Sequence, residues 1–345
     1  MRRRDRLPTG WGRPLSRREL LRQAGRGSLG LAAMSFLAAC GVRSERPEQP
    51  AAQSPSPLPP KAGELQIANW PLYIDKAKGE PVTPQTFSEE HDVDVTYREV
   101  INDNVEFFAT IQEPLAQGEA AGWDIIVVTD WLVDKMNQLG YLEQLHHSEL
   151  PQVQENLRDT FRDPWYDAGN AHSVPWAAGF TGIGYDISLT GRELTSIDDL
   201  FDDEWAGRVG LFTEMRDTFG LVLLSLGIEP SEATVEDAER AQQKLLENRD
   251  NVRGFYGNEY ADQLATGSLA VSMAWSGDIF ALQLDNPNLR FALPEQGAMR
   301  WVDNMVIANG AEHPTDAHLF MDYVYDPRIA ANITEWVWYE SPVEP

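Results

Sequence analysis

The chain has 345 residues, 42% of them apolar, and a formal net charge of −26. That field repels nucleic acid and anionic lipid headgroups and attracts cations, which disfavours nucleic-acid binding. Cys40 is the only cysteine, excluding an intrachain disulfide, and the six histidines show neither HExxH nor ligand spacing, so no metal and no cofactor is expected.

The first segment reads as an export signal. Residues 1–39 carry nine arginines against Asp5 and Glu19, an excess of +7 that leaves the remainder at −33. Ser16-Arg17-Arg18-Glu19-Leu20-Leu21 is a twin-arginine-like start, and Gly27 to Ala39 is a small and apolar run of signal length, too short for a permanent membrane span. It ends in Leu37-Ala38-Ala39-Cys40, which resembles the lipobox of bacterial lipoproteins, where the cysteine is diacylated and becomes the new N-terminus. Residues 40–63 follow with prolines at 47, 50, 55, 57, 59 and 60 among Ser, Glu and Gln; such a stretch builds no core and serves as an extended tether.

The folded body has the length of two domains. Glu64 to Trp70 alternates as a strand, and Pro71-Leu72-Tyr73 reads as a turn into a helix. A second strand is expected at Val93 to Tyr97 and a buried parallel strand at Asp124 to Val128, with helices over Pro84–His91, Val105–Gln117 and Trp131–Leu139 between and after them. This alternation predicts an α/β sheet, whose ligands bind beyond the carboxyl ends of the strands. Trp70, Tyr73, Thr129 and Trp131 lie just past those ends.

A second cycle begins after His172 to Trp176. Gly179, Gly182 and Gly184 surround an apolar segment that suits a crossing strand or a hinge. Arg208 to Phe212 is a strand followed at once by Glu214 and Asp217, acids that commonly cap a helix. Thr234 to Leu246 is a helix with Thr234 as cap and Asp237 three residues later. Leu269 to Ala274 is a buried strand that delivers Trp275 and Asp278 to the same edge. Trp275 with Asp278, and Trp301 with Asp303, each set a π face beside a carboxylate, a combination that suits a desolvated organic ammonium. Paired carboxylates also fit a secreted hydrolase with an acid and a base across a cleft.

Several phrases carry a resemblance over residues 64 to 342: NWPLYI at 69–74, DIIVVTDWLVDKM at 124–136, VPWAAGFTGIGYD at 174–186, LFTEMRDTF at 211–219, SMAWSGD at 272–278, RWVDNMVI at 300–307 and WYESP at 338–342. In them the chain resembles the polyamine-binding proteins of bacterial ABC importers, the spermidine and putrescine receptors of the periplasmic binding-protein superfamily. The resemblance implies a two-lobed α/β fold of the type II periplasmic binding class with a ligand cleft between the lobes. It places lobe one at 64–178 with 302–330 and lobe two at 179–301 with 331–345. It also implies an aromatic box of Trp70, Tyr73, Trp131, Trp275, Trp301 and Tyr339, ammonium-binding acids Glu214, Asp217, Asp278 and Asp303, and Thr129 as a hydroxyl contact. Asp278 resembles a putrescine-receptor position and Asp217 a spermidine-receptor one. The implied protein is no enzyme: it is an exported, lipid-anchored monomer whose partners are a polyamine and a membrane permease. The same fold holding another cationic amine, or acting as a sensor, is the nearer alternative. Two departures stand out: Pro71 follows Trp70 where relatives often have a hydroxyl residue, and the chain stops at Pro345, where family members continue through further helices, so the resemblance implies a missing C-terminal part.

Overall fold

The computed structural model describes residues 57–344, so the export segment, Cys40 and most of the tether lie outside the described residues. The strands are β1 (Glu64–Asn69), β2 (Lys76–Ala77), β3 (Glu80–Pro81), β4 (Asp94–Glu99), β5 (Ile125–Thr129), β6 (Ser173–Asp186), β7 (Val209–Phe212), β8 (Val252–Tyr256), β9 (Val271–Trp275), β10 (Leu289–Ala292) and β11 (Met299–Val306). All except the small β2/β3 hairpin form one sheet in the order β4-β1-β5-β11-β6-β9-β7-β8, with β10 on β6. Pairing is parallel among β4, β1 and β5 and among β8, β7 and β9, whereas β11 and β6 run antiparallel to their neighbours.

The expected strands and helices fall within one or two residues of their predicted bounds. One local reading differs: Pro71 to Tyr73 does not turn into a helix. Leu72 takes a left-handed φ of 58°, which breaks a run of right-handed residues. The chain instead enters the β2/β3 hairpin, turned at Lys78 and Gly79 with φ of 54° and 89° as a primed turn requires. The helix begins only at Val82. The helix at Val235–Glu247 has the expected cap: Thr234 Oγ1 accepts from Asp237 N and Asp237 Oδ2 accepts from Thr234 N. Such a cap contributes about 1 kcal/mol.

Two hydrophobic clusters divide the molecule. The first gathers Leu65, Ile67, Ile125 to Val128, Met305 and Val306; the second gathers Ile183, Val209, Leu211, Val271 and Met273. Each of these large side chains contributes roughly 1.5–3 kcal/mol by leaving water. The Gly179–Gly184 segment is a crossing strand. The 14-residue β6 pairs with β11 in its first half and with β9 and β10 in its second, passing from one cluster to the other. β11 is the return crossing.

The closing residues, placed by the sequence reading in the second lobe, put Ile333, Val337, Tyr339 and Val343 in the first cluster. Backbone pairing is the cause: Leu157 bridges Val343, and Ala178 bridges Glu340. Among the described residues no helix is long and apolar enough to cross a membrane.

Candidate functional site

Four strands end at the same seam. β1 ends before Trp70, β5 at Thr129, β7 just before Glu214 and β9 at Trp275, and each is a parallel strand whose carboxyl end faces the gap between the two clusters. β11 adds Asp303, opposite Thr129 in register and at an irregularity between Asp303 and Asn304.

From the first lobe, Asp303 is the hub. Its Oδ2 accepts from the Tyr73 hydroxyl at 2.8 Å and its Oδ1 from Thr129 Oγ1 at 2.7 Å. Asn104, the first residue of the helix Asn104–Ala116, donates through Nδ2 to Thr129 Oγ1 at 2.8 Å and to Glu214 Oε2, on the other lobe, at 2.9 Å. A hydrogen-bonded line therefore joins Asp303 to Glu214 across the seam.

From the second lobe come three acids at helix starts, and none of the three caps its own helix. Glu214 precedes the helix Met215–Ser225 and makes no side-chain cap bond. Asp217 Oδ2 accepts from Thr181 Oγ1 at 2.8 Å and from Trp275 Nε1 at 3.0 Å. Asp278 accepts from the Tyr260 hydroxyl at 2.8 Å and the Tyr339 hydroxyl at 2.6 Å. The common structural use of such acids is visible elsewhere, where Asp103 Oδ1 accepts from the backbone N–H groups of Val105 and Glu106. The site acids are turned into the seam instead.

The rings form two chains of contacts. Trp301 meets Tyr339 at 5.2 Å between centroids, Tyr339 meets Tyr73 at 5.5 Å, and Tyr73 meets Trp176 at 6.4 Å. Trp70 meets Trp275 across the lobes at 6.4 Å, and Trp275 stacks on Phe212 at 4.4 Å. Tyr339 reaches the seam because Trp338, left-handed at φ 61°, ends the helix Pro327–Val337 and Glu340 then pairs with the Ala178 backbone. Arg158 and Arg300 each hold a Glu340 carboxylate oxygen at 3.3 Å. The rings need the glycines beneath them. A Cβ on Gly179 would lie 2.5 Å from Trp301 Cζ2, and one on Gly277 would lie 2.7 Å from the Tyr339 ring.

Burial governs the charge state. It pushes Glu214 up to about 8, with the nearby Asp217 and Asp103 charges adding to the effect and the Asn104 hydrogen bonds opposing it. It pushes Asp217 and Asp303 up to about 6, against the hydrogen bonds each accepts, and raises Asp278 in the same direction. Glu214, Asp217 and Asp303 are each less than one-tenth exposed, and the donors named above for them are hydroxyl, amide and indole groups. Glu214 Oε1 is buried with no hydrogen-bond partner among the described residues. Carboxylates held this way favour the arrival of a positive charge with N–H donors.

Ten of the eleven residues singled out from the sequence fall in this one connected arrangement. Trp131 lies outside the hydrogen bonds and ring pairs named above: it packs against the first cluster, and its ring faces the Arg216 guanidinium at 4.6 Å. Sequence reasoning missed Asn104, Thr181, Tyr260 and Phe212. Asn104 opens a helix just past the carboxyl end of β4, and the strand-end rule reaches it. Tyr260 and Thr181 carry no such cue, since a lone tyrosine in a short helix and a threonine in a strand are common residues.

A family model described as bacterial extracellular solute-binding protein matches residues 123–344. The chain is 30% identical to spermidine/putrescine-binding periplasmic protein 1 of Haemophilus influenzae over 65% of this chain and 62% of that one, so it spans less than two-thirds of that relative's length. It is 26% identical to a putrescine/agmatine-binding protein of Pseudomonas aeruginosa over 80% of this chain and 77% of that one. A solved structure of a spermidine/putrescine ABC transporter substrate-binding protein, PotD from Streptococcus pneumoniae, is similar with TM-score 0.66 and 27% identity, over 81% of this chain and 83% of that one.

Proposed function

The chain belongs to the bacterial extracellular solute-binding proteins, and from that membership we propose that it captures a polyamine, spermidine or putrescine, for an ABC importer. One observation carries the reading: Asp303 from the first lobe and three acids from the second, the latter turned away from their own helix starts, meet at a ring-lined seam where the hydroxyl and indole donors named above orient them. Methylene stems need apolar cover and each ammonium needs a charged partner, which is what this seam offers. In this reading Trp70, Tyr73, Trp275, Trp301 and Tyr339 cover the stem, Glu214, Asp217, Asp278 and Asp303 hold ammonium groups, and Thr129 orients Asp303. Lobe one (64–178 with 302–330) and lobe two (179–301) close by bending at the β6 and β11 crossings, and the closed form docks on a permease. The protein acts as a monomer and releases its ligand unchanged. Native mass spectrometry of protein purified without dialysis is expected to show a bound amine of spermidine or putrescine mass. A ligand-free spectrum, with unchanged small-angle scattering on saturation with either amine, counts against the reading.

The same proposal anchors the body at the outer face of the cytoplasmic membrane through lipid on Cys40, with residues 41–63 as the spacer. Two acyl chains hold far more firmly than one. Cys40→Ser is expected to move the protein from the membrane pellet to the soluble fraction, and continued membrane fractionation would rule out lipidation at that position.

A further inference from the structure

Arg216 lies between Glu214 and Asp217 on the second lobe, yet its guanidinium carbon sits 4.6 Å from the ring centroid of Trp131 on the first. Both side chains are half-buried, so the contact stands at the mouth of the seam and spans it. Burial pushes the neighbouring Asp130 up to about 7 and Lys135 down, and the Arg216 charge lowers both; Lys135 is held 4.5 Å from the Phe108 centroid. The opposite end is walled: Tyr260 is fully buried, Tyr339 is nine-tenths buried, and their hydroxyls take both oxygens of Asp278. A linear amine that runs past the acids toward Trp131 has to pass Arg216. There it meets an indole face already covered by a cation, with a lysine beside it. An indole face attracts one cation well, and a second ammonium gains nothing from it and is repelled.

We infer that Arg216 is a specificity-determining residue, a built-in cation that caps the Trp131 end of the seam and rejects amines longer than the acid row, such as the tetraamine spermine. The inference rests on the polyamine reading. It is tested by calorimetric titration of the wild type, Arg216→Met, Arg216→Ala and Arg216→Lys with putrescine, spermidine and spermine. Met keeps most of the length without the charge and Ala opens the end, so in both the affinity for spermine relative to putrescine is expected to rise at least tenfold. Lys retains the charge and is expected to leave that ratio near the wild-type value. A ratio that stays within threefold in Met and Ala, or a parallel loss for all three amines, overturns the role in selectivity. If the wild type binds none of the three, the polyamine reading itself falls, and this inference falls with it.

Discussion

Asp303→Asn is expected to weaken binding of the preferred polyamine about 30-fold to several thousand-fold, corresponding to roughly 2 to 5 kcal/mol. Asp303 is 6% exposed and both its oxygens already accept hydrogen bonds, from Tyr73 and Thr129. Asparagine keeps the shape, and the two hydroxyls can rotate to accept as well as donate. The fold therefore survives and the loss reports the missing charge. Acetylating one terminal amine of the ligand removes the matching charge from the other side while leaving the methylenes in place, and a loss of similar size is expected. Trp301→Ala acts differently, removing stem cover while leaving the demand for an ammonium. Calorimetry on the soluble body at two salt concentrations separates these effects. Equal affinity for free and acetylated amines, or an unaffected Asp303→Asn variant, would falsify the assignment of Asp303 to an ammonium.

The seam was legible where the chemistry is local. A strand's carboxyl end is marked by its apolar run, and an aromatic beside an acid is visible without knowing what lies opposite. Trp70, Thr129, Glu214 and Trp275 are of this kind. What stayed hidden depends on pairing across the molecule. Asn104 matters only because the fold brings Glu214 within 2.9 Å, and Tyr260 matters only because it shares Asp278 with Tyr339. β11 shows no strand pattern, since Asp303 and Asn304 interrupt MRWVDNMV and both favour turns. It is nevertheless a central strand, held because Thr129 accommodates Asp303 and the Tyr166 hydroxyl reaches Asn304 Oδ1 at 3.1 Å. Trp131 shows another side of the same limit: its position past a strand end is legible, but the Arg216 guanidinium that the facing lobe lays 4.6 Å from its ring centroid is not.

Polyamine affinity is expected to fall about 100-fold between pH 8 and pH 5, because binding an ammonium requires the ionised acids. Asp217 and Asp303 are held near 6 by burial, so at pH 5 each is mostly protonated. One pH unit below its pKa, each acid costs the ligand about tenfold in affinity. Glu214, held near 8, deepens the loss if it also pairs with the ligand. Stability of the ligand-free protein moves the other way. These folded-state pKa values lie above those of the unfolded chain, so the folded state binds the extra protons, and its stability falls as pH rises from about 4 through 6 and, for Glu214, on to 8. Saturating amine reverses that trend by supplying the counter-charge, so the ligand-induced rise in melting temperature is expected to be larger at pH 8 than at pH 5. Titrations at pH 6 in two buffers of different ionisation enthalpy are expected to show net proton release on binding. Flat affinity across this range with no proton release would mean that the buried carboxylates are not what the amine meets.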